Sequence, residues 1–434
     1  MRSLITPFIS GLWSHHKYIA FRQKRAEAKL IRQNALRKID VFVALDDPHS
    51  YVLLKVLPQF CQDFELEAQI HLIHHRQHDM FPEEIMWSKW AMKDATKLAH
   101  LYQLYLPPYY PKQTHIRRAQ SYWMEHPPQN SRQALQHFDQ LWLDQGIPLS
   151  NQNAQTMLRK NEQLIKKLGQ YLPASIYFGK QWYWGLDRLE HLESRLMSLN
   201  LQAPSYKAGQ YQKTWQNFCR MPSNTVRDKH VPIELFFSMR SPYSHIALSR
   251  CHQLAKHYGI PLKIKPVLPM LMRKMAVPKN KTRYIFNDAV RESQKLNIPY
   301  GKVADPLGKG VENTYAIWHF ANQQGKGNAF LLAISDLVNA QGISANYHRG
   351  LKLACHQAGI VWSDAKQALK REAWRDVVNH NLKQMYDYGL WGVPSIRYQD
   401  TQVWGQDRIW CIEDAILAPY LSSSHPQSLK DLSL

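Results

Sequence analysis

One short pattern occurs twice in this chain of 434 residues, and that repeat constrains the fold more than any other feature. Residues 39–50 read IDVFVALDDPHS and residues 233–244 read IELFFSMRSPYS. The two segments align without a gap, which places Asp47 opposite Ser241 and puts a proline after both. Each β-branched or aromatic run ends at a turn and a helix-start signal. Each therefore predicts a strand that leads directly into a helix.

A second pair of matching segments closes each half of the chain. Residues 173–190 read PASIYFGKQWYWGLDRLE, and residues 394–409 read PSIRYQDTQVWGQDRI. Both predict a strand that begins after proline, a tight hairpin, a second strand that ends in Trp-Gly, and a helix opened by Asp-Arg. A helix-like stretch and a short strand also follow each first strand, which is the order of a parallel βαβ unit. Two matches in the same order indicate an internal duplication.

The repeat predicts an α/β chain with two tandem domains, because the length also exceeds what one hydrophobic core normally fills. Each domain carries a long helical insertion, at roughly 80–168 and 268–388. The predicted segments are a basic N-terminal helical arm at 1–37, a first domain at 38–200, a linker at 201–230, a second domain at 231–422, and a C-terminal tail at 423–434.

The formal net charge of +21 favours anionic partners, and its distribution is uneven. Residues 1–38 hold nine basic residues and one acidic residue, a net charge of +8. This arm either packs on the body as a solvated helix or binds an anionic surface, whether a membrane or a nucleic acid. The full sequence contains no apolar run long enough for a transmembrane helix.

The cysteines exclude a disulfide oxidoreductase of the usual C-x-x-C kind. The chain has five, scattered without a C-x-x-C pair or a Cys/His metal spacing. This pattern is typical of a reducing compartment, so we expect a cytoplasmic protein. The histidines at 71, 74, 75 and 78 begin in a predicted strand and have no acidic or cysteine companions, so we predict no metal site there.

In the second half, Ser-Pro-Tyr-Ser at 241–244, Gly-Val-Pro at 392–394 and Trp-Gly-Gln-Asp-Arg at 404–408 occur in one order, around a helical insertion. This order resembles the 2-hydroxychromene-2-carboxylate isomerase family and the kappa-class glutathione transferases. Both families have a DsbA-like thioredoxin fold. The resemblance implies two tandem thioredoxin-like domains of the DsbA type, with glutathione as the cofactor and an aromatic or conjugated electrophile as the small-molecule substrate.

The resemblance makes Ser241 the catalytic residue, whose hydroxyl would donate a hydrogen bond to the glutathione sulfur. A helix N-terminus stabilises an anion, which suits that role. The alternative is that Ser241 is only an N-cap, with the following proline at the first helical position.

The other binding residues are also implied by the resemblance. Val393 and Pro394 would form the cis-proline loop that orients the thiol ligand through its backbone. Gln406 and Asp407 would hold the γ-glutamyl end of glutathione, or Asp407 simply compensates a helix dipole.

The first half departs from this pattern because Asp47 replaces the serine and Leu186 the glutamine, and a carboxylate would repel a thiolate. We expect a catalytically degenerate first domain. Two further functions stay open, a non-catalytic glutathione-binding or scaffold protein and, less favoured, a thiol oxidoreductase.

Overall fold

The computed structural model describes residues 2–74, 83–212 and 216–421. The chain divides into two compact units, which are described separately. We call residues 20–213 and 277–284 the N-terminal unit, and residues 1–19, 214–276 and 285–434 the C-terminal unit. The predicted tail at 423–434 lies outside the described residues.

The first two hundred residues contain eight described α-helices and four strands. They are α1 (Arg2–Ser14), α2 (His16–Arg32), β1 (Lys38–Val43), α3 (Pro48–Asp63), β2 (Glu67–Leu72), α4 (Glu84–Leu101), α5 (Gln113–Glu125), α6 (Ser131–Trp142), α7 (Gln155–Leu168), β3 (Ser175–Phe178), β4 (Gln181–Trp184) and α8 (Leu189–Ser198).

The remaining described residues contain four further strands and eight further α-helices. They are β5 (Ile233–Phe237), α9 (Pro242–Tyr258), β6 (Leu262–Pro266), α10 (Lys279–Lys295), α11 (Lys309–Gln323), α12 (Gly327–Asn339), α13 (His348–Gln357), α14 (Trp362–Ala368), α15 (Trp374–Asp387), β7 (Ser395–Tyr398), β8 (Thr401–Trp404) and α16 (Ile409–Leu417).

Each unit contains one four-stranded mixed sheet, and the two sheets have equivalent strand orders. The N-terminal sheet runs β2-β1-β3-β4 and the C-terminal sheet runs β6-β5-β7-β8. In both, the first two strands are parallel and the last two form an antiparallel hairpin. The βαβ units and hairpins expected from the sequence are therefore confirmed, and helical insertions separate β2 from β3 and β6 from β7.

The central strand and the first helix of the C-terminal unit fold for local reasons. All five residues of β5 are buried, which suits a strand covered on both faces. Helix α9 begins after Ser241, has Pro242 in its first turn, and ends at Gly259, whose φ of +68° gives the left-handed cap that glycine adopts without a Cβ clash. Between these caps its buried face packs against the sheet.

The N-terminal helices hydrogen-bond to the body of the protein. In the C-terminal unit, Ser10 Oγ of α1 accepts from Val303 N at 2.9 Å, and Trp13 Nε1 donates to Asn287 Oδ1 at 3.2 Å. In the N-terminal unit, Glu27 of α2 pairs with buried Arg195 at 3.1 Å. Within the described ranges, no helix is long and apolar enough to cross a bilayer.

Candidate functional site

The sheet places Ser241 next to Val393 because of its strand directions. Strand β7 is antiparallel to β5 and Ser395 lies opposite Phe236, so the residues before β7 lie beside the residues after β5. Ser241 Oγ donates to the carbonyl oxygen of Val393 at 3.4 Å. The two residues that the sequence assigned to one site, separated by 152 positions, are thus in contact.

Ser241 is also a helix cap. Its backbone is extended, with φ −87° and ψ 119°, and its Oγ accepts from Ser244 N at 3.2 Å. Ser241 therefore caps α9, while its catalytic role stays a prediction. The cap uses the Ser241 oxygen as an acceptor, so the hydroxyl can still donate. It donates to the Val393 carbonyl oxygen at the long distance of 3.4 Å, and a stronger acceptor would replace that carbonyl.

The loop before β7 is held from several directions. The Val393-Pro394 peptide bond is cis. Ser395 Oγ donates to Gly392 O at 2.7 Å, and Gly405 N donates to Pro394 O at 2.9 Å. A Cβ at position 392 would lie 2.6 Å from Trp404 Nε1, so only glycine permits this close approach. Val393 packs on an apolar cluster, whose buried members are Phe236, Val267, Met385 and Leu390.

Gln406 lies in a buried network rather than at an open surface. It is 1% exposed. Its Oε1 accepts from Arg250 Nη1 at 2.6 Å, while its Nε2 donates to Glu292 Oε2 at 3.0 Å and to Asp407 Oδ1 at 2.8 Å. The side-chain amide is therefore engaged at both ends. Contact of Gln406 with a ligand stays a prediction, and in this structure Gln406 positions Asp407, which is half-buried.

Arg250 supplies the positive charge of this network and was missed by the sequence analysis. It lies on the buried face of α9 and is 3% exposed. Burial lowers the pKa of its guanidinium, and the carboxylates of Asp407 and Glu292 oppose that shift. A single arginine inside the apolar run IALSRCHQL was the available signal, because an arginine is rarely buried without a partner.

The residues on either side of Ser241 are fixed by carboxylates. Arg240 forms a two-point ion pair with Asp305, at 2.8 and 2.9 Å. Tyr243 donates its hydroxyl proton to the buried Asp288 at 2.7 Å, and Arg291 also pairs with Asp288. These contacts anchor the turn that carries Ser241, and they neutralise the charge of Arg240 locally.

Four of the five cysteines are poor nucleophiles. Cys251 lies in α9 and is fully buried, and burial raises its thiol pKa to about 12. Burial likewise raises the thiol pKa of Cys61 and Cys355 to about 12, and that of Cys219 to about 11. A thiol with such a pKa is almost fully protonated near neutral pH. These four cysteines therefore supply no reactive thiolate near neutral pH.

The corresponding site of the N-terminal unit has different chemistry. Asp47 caps α3, with its Oδ2 accepting from Ser50 N at 2.8 Å and from Ser50 Oγ at 2.7 Å. His49 lies 3.0 Å from Asp94 and 3.9 Å from Asp47. Burial alone would lower the pKa of His49, but the two carboxylates outweigh it and raise the pKa to about 9.

This cluster places two carboxylates at the start of α3, close to one another through the ring of His49. A carboxylate at this position disfavours a bound thiolate. Trp90 and Trp184 pack on the His49 ring, at centroid distances of 5.5 and 5.1 Å. Of the histidines considered as metal ligands, His71 pairs with Asp40 at 2.8 Å, and positions 75 and 78 lie outside the described residues.

Comparisons with known proteins concern mainly the second half of the chain. The model of the DSBA-like thioredoxin domain family matches residues 232–417. A 2-hydroxychromene-2-carboxylate isomerase from Pseudomonas putida is 21% identical over 193 residues, which is 42% of this chain and 93% of that protein. The corresponding isomerase from Sphingobium xenophagum is 22% identical over 194 residues, 43% of this chain and 97% of that protein.

A solved structure of 2-hydroxychromene-2-carboxylate isomerase is also similar, at 21% identity and a TM-score of 0.38, covering 43% of this chain and 94% of that one. At these identities the relatives support the family and no finer activity. Residues 232–417 of this mixed α/β chain match the model of the DSBA-like thioredoxin domain and have that fold.

Proposed function

We propose that the C-terminal unit is a glutathione-dependent isomerase, or a related transferase, for an aromatic or conjugated electrophile. The observation that carries the proposal is the meeting of Ser241 Oγ with the Val393 backbone at the N-terminus of α9. A hydroxyl donor and the positive end of a helix dipole both stabilise a thiolate. The isomerase names of the relatives agree with this chemistry.

The thiol end of glutathione fits these residues better than its γ-glutamyl end does. Ser241 can exchange its long bond to Val393 O for a bond to sulfur, and the Val393 backbone lies beside it. Gln406 reaches a ligand only if it releases Arg250 or Glu292. Asp407 is half-buried and is the residue of this pair that we propose to contact the ligand amino group.

Bound glutathione would supply a thiolate that adds to a conjugated carbon as the C=C electron pair moves to a carbonyl oxygen, and that leaves after bond rotation, without net oxidation. The residues of this chain have a simpler task. Ser241 holds the sulfur as an anion, and the loop at Val393 orients it. A transferase would keep the new C–S bond. The acidic thiol that a disulfide oxidoreductase needs is not supplied by Cys61, Cys219, Cys251 or Cys355, whose thiol pKa values are raised by burial.

A glutathione-binding protein without turnover is the second candidate. The burial of Gln406 favours it, because an engaged amide cannot tighten on a transition state without first breaking its internal bonds. Turnover of a conjugated electrophile in the presence of glutathione distinguishes the two functions. Binding with no turnover across several electrophiles would favour the second.

We further propose that the N-terminal unit is a degenerate copy of the same thioredoxin-like domain. The equivalent strand orders support this, as do the aligned caps Asp47 and Ser241. Each cap is followed by a serine whose Oγ accepts from the backbone nitrogen six residues earlier, Ser50 from Ala44 and Ser244 from Ser238. We also propose a cytoplasmic location, because none of the five cysteines forms a disulfide.

The substitution Ser241→Ala tests the enzyme proposal. We expect it to raise the pKa of the bound glutathione thiol, measured by the ultraviolet absorbance of the thiolate, and to cost about 1 kcal/mol of stability through the lost cap. Asn130→Ala is the matched control, because Asn130 caps α6 with a 3.0 Å bond from Gln133 N. It should cost similar stability without moving the thiol pKa. An unchanged thiol pKa in Ser241→Ala would falsify the catalytic role of Ser241.

A further inference from the structure

Helices α1 and α2 each present apolar side chains to solvent that the fold does not need. On α1, Phe8 is 72% exposed, Ile9 54% and Leu12 53%. On α2, Phe21 is 59% exposed and Ile31 60%. Single exposed apolar residues are normal on a protein surface. Five large ones between residues 8 and 31 are a concentration that needs an explanation.

The opposite sides of both helices are fixed to the body of the protein, so the outward sides are defined. In α1, Pro7 is buried, Ser10 accepts from Val303, and the Ser14 carbonyl accepts from Gln294. In α2, Ala26 is buried, and Glu27 pairs with Arg195. Truncation of this segment would therefore disturb the fold and is not a suitable test.

The outward face of α2 is basic as well as apolar. At 100° per residue, Phe21, Lys24 and Ile31 lie within about 80° of one another, and Arg25 and Arg32 flank them on one side. Lys24, Arg25, Lys29 and Arg32 are all exposed. Glu27 is the sole acidic residue in the sequence of α2; it borders this face beside Ile31, and its carboxylate pairs with Arg195. The outward face thus carries only positive charge.

We propose that this outward face of α2 binds the headgroup layer of an anionic membrane as a peripheral contact. Basic residues around apolar ones are the pattern of helices that lie in the interface. A nucleic acid would satisfy the cations through its phosphates but would leave Phe21 and Ile31 in water.

Vesicle sedimentation with the full chain tests the proposal. We expect binding to vesicles of equal phosphatidylcholine and phosphatidylglycerol, and little binding to phosphatidylcholine alone. Neutralising Lys24, Arg25 and Lys29 to glutamine should weaken partitioning roughly a hundredfold, from about fivefold for each cation near an anionic surface. The matched control changes Lys366, Lys370 and Arg371, which are exposed at the end of α14 and beyond it, and should bind as the native chain does.

A second variant separates a membrane from a nucleic acid. Changing Phe21 and Ile31 to serine should weaken vesicle binding about tenfold or more, because the charge is intact and only the buried apolar area is lost. Its control changes the exposed Ile85 and Leu149 to serine. Equal binding of the native chain and this apolar variant, or binding to duplex DNA that only the charge variant weakens, would overturn the membrane proposal. Phosphatidylcholine binding equal to that of the mixture would overturn it as well.

Discussion

The N-termini of α3 and α9 have the same backbone arrangement but different charged groups around them. In each, a polar residue caps the helix, a proline follows, and a serine three residues on bonds back to the end of the strand. Around Ser241 the anchoring carboxylates are matched by Arg240 and Arg291, whereas around Asp47 one imidazolium faces two carboxylates. The two helix starts thus share a polar cap and differ in the charged groups around it.

The residues two positions after the two caps make matching contacts with different chemistry. His49 contacts Asp94 in the N-terminal unit, and Tyr243 contacts Asp288 in the C-terminal unit. Both side chains lie two residues after the cap and reach the next helix along the chain. Tyrosine donates a neutral hydrogen bond, whereas His49 also takes up a proton, because burial lowers its pKa but its two carboxylate neighbours outweigh burial and raise the pKa to about 9. The same contact is therefore sensitive to pH in one unit only.

The largest expected effect concerns Arg250, the buried guanidinium that α9 has and α3 lacks. Arg250→Met should destabilise the C-terminal unit by about 3–5 kcal/mol, because Glu292 and Asp407 lose their buried cation. The matched control is Val56→Met, at the aligned position of α3, which should change stability by less than about 1 kcal/mol. Denaturant unfolding of the full chain measures both, and similar losses in the two variants would show that the network does not hold the site.

The next effect is the pH dependence of His49. Its folded pKa of about 9 lies above the ordinary value of 6.5, so its stabilising contribution is complete below pH 6.5 and is lost as the pH rises through 9. The loss should be about 3 kcal/mol at most, since one pKa unit corresponds to about 1.4 kcal/mol. We expect His49→Gln to flatten the stability profile of the N-terminal unit between these pH values. A native profile already flat there would mean that His49 is neutral.

The third expected effect is on ligand binding. It comes from a substitution that makes the C-terminal site resemble the N-terminal one. Ser241→Asp keeps a capping side chain but places a carboxylate beside the thiolate, so glutathione should bind at least about tenfold more weakly. Calorimetry on the native chain should give one site per chain. A stoichiometry of two, or unchanged affinity in Ser241→Asp, would contradict the proposed asymmetry.

Sequence patterns predicted the parts of the fold that depend on local order. The strands, the hairpins and the helix starts at Pro48 and Pro242 follow from alternation, turn residues and caps, and the structure confirms them. The contact of Ser241 with Val393 was anticipated through the family resemblance. Contacts that depend on side-chain direction across distant helices were not predicted. Arg250 with Gln406 is one such contact, and Trp13 with Asn287 is another.

The smallest expected effect is that of Tyr243→Phe, which removes one neutral hydrogen bond from the turn that carries Ser241. Asp288 keeps Arg291 as a partner at 2.7 Å, so the loss should be about 1 kcal/mol of stability. Tyr243 positions Ser241 and does not replace it, so we expect weaker turnover with an unchanged pKa of the bound thiol. His49→Phe in the N-terminal unit is the counterpart and should cost more stability, because it removes the imidazole that lies between Asp94 and Asp47. Equal losses in the two phenylalanine variants would show that His49 and Tyr243 are interchangeable anchors, and would remove the electrostatic difference between the two sites.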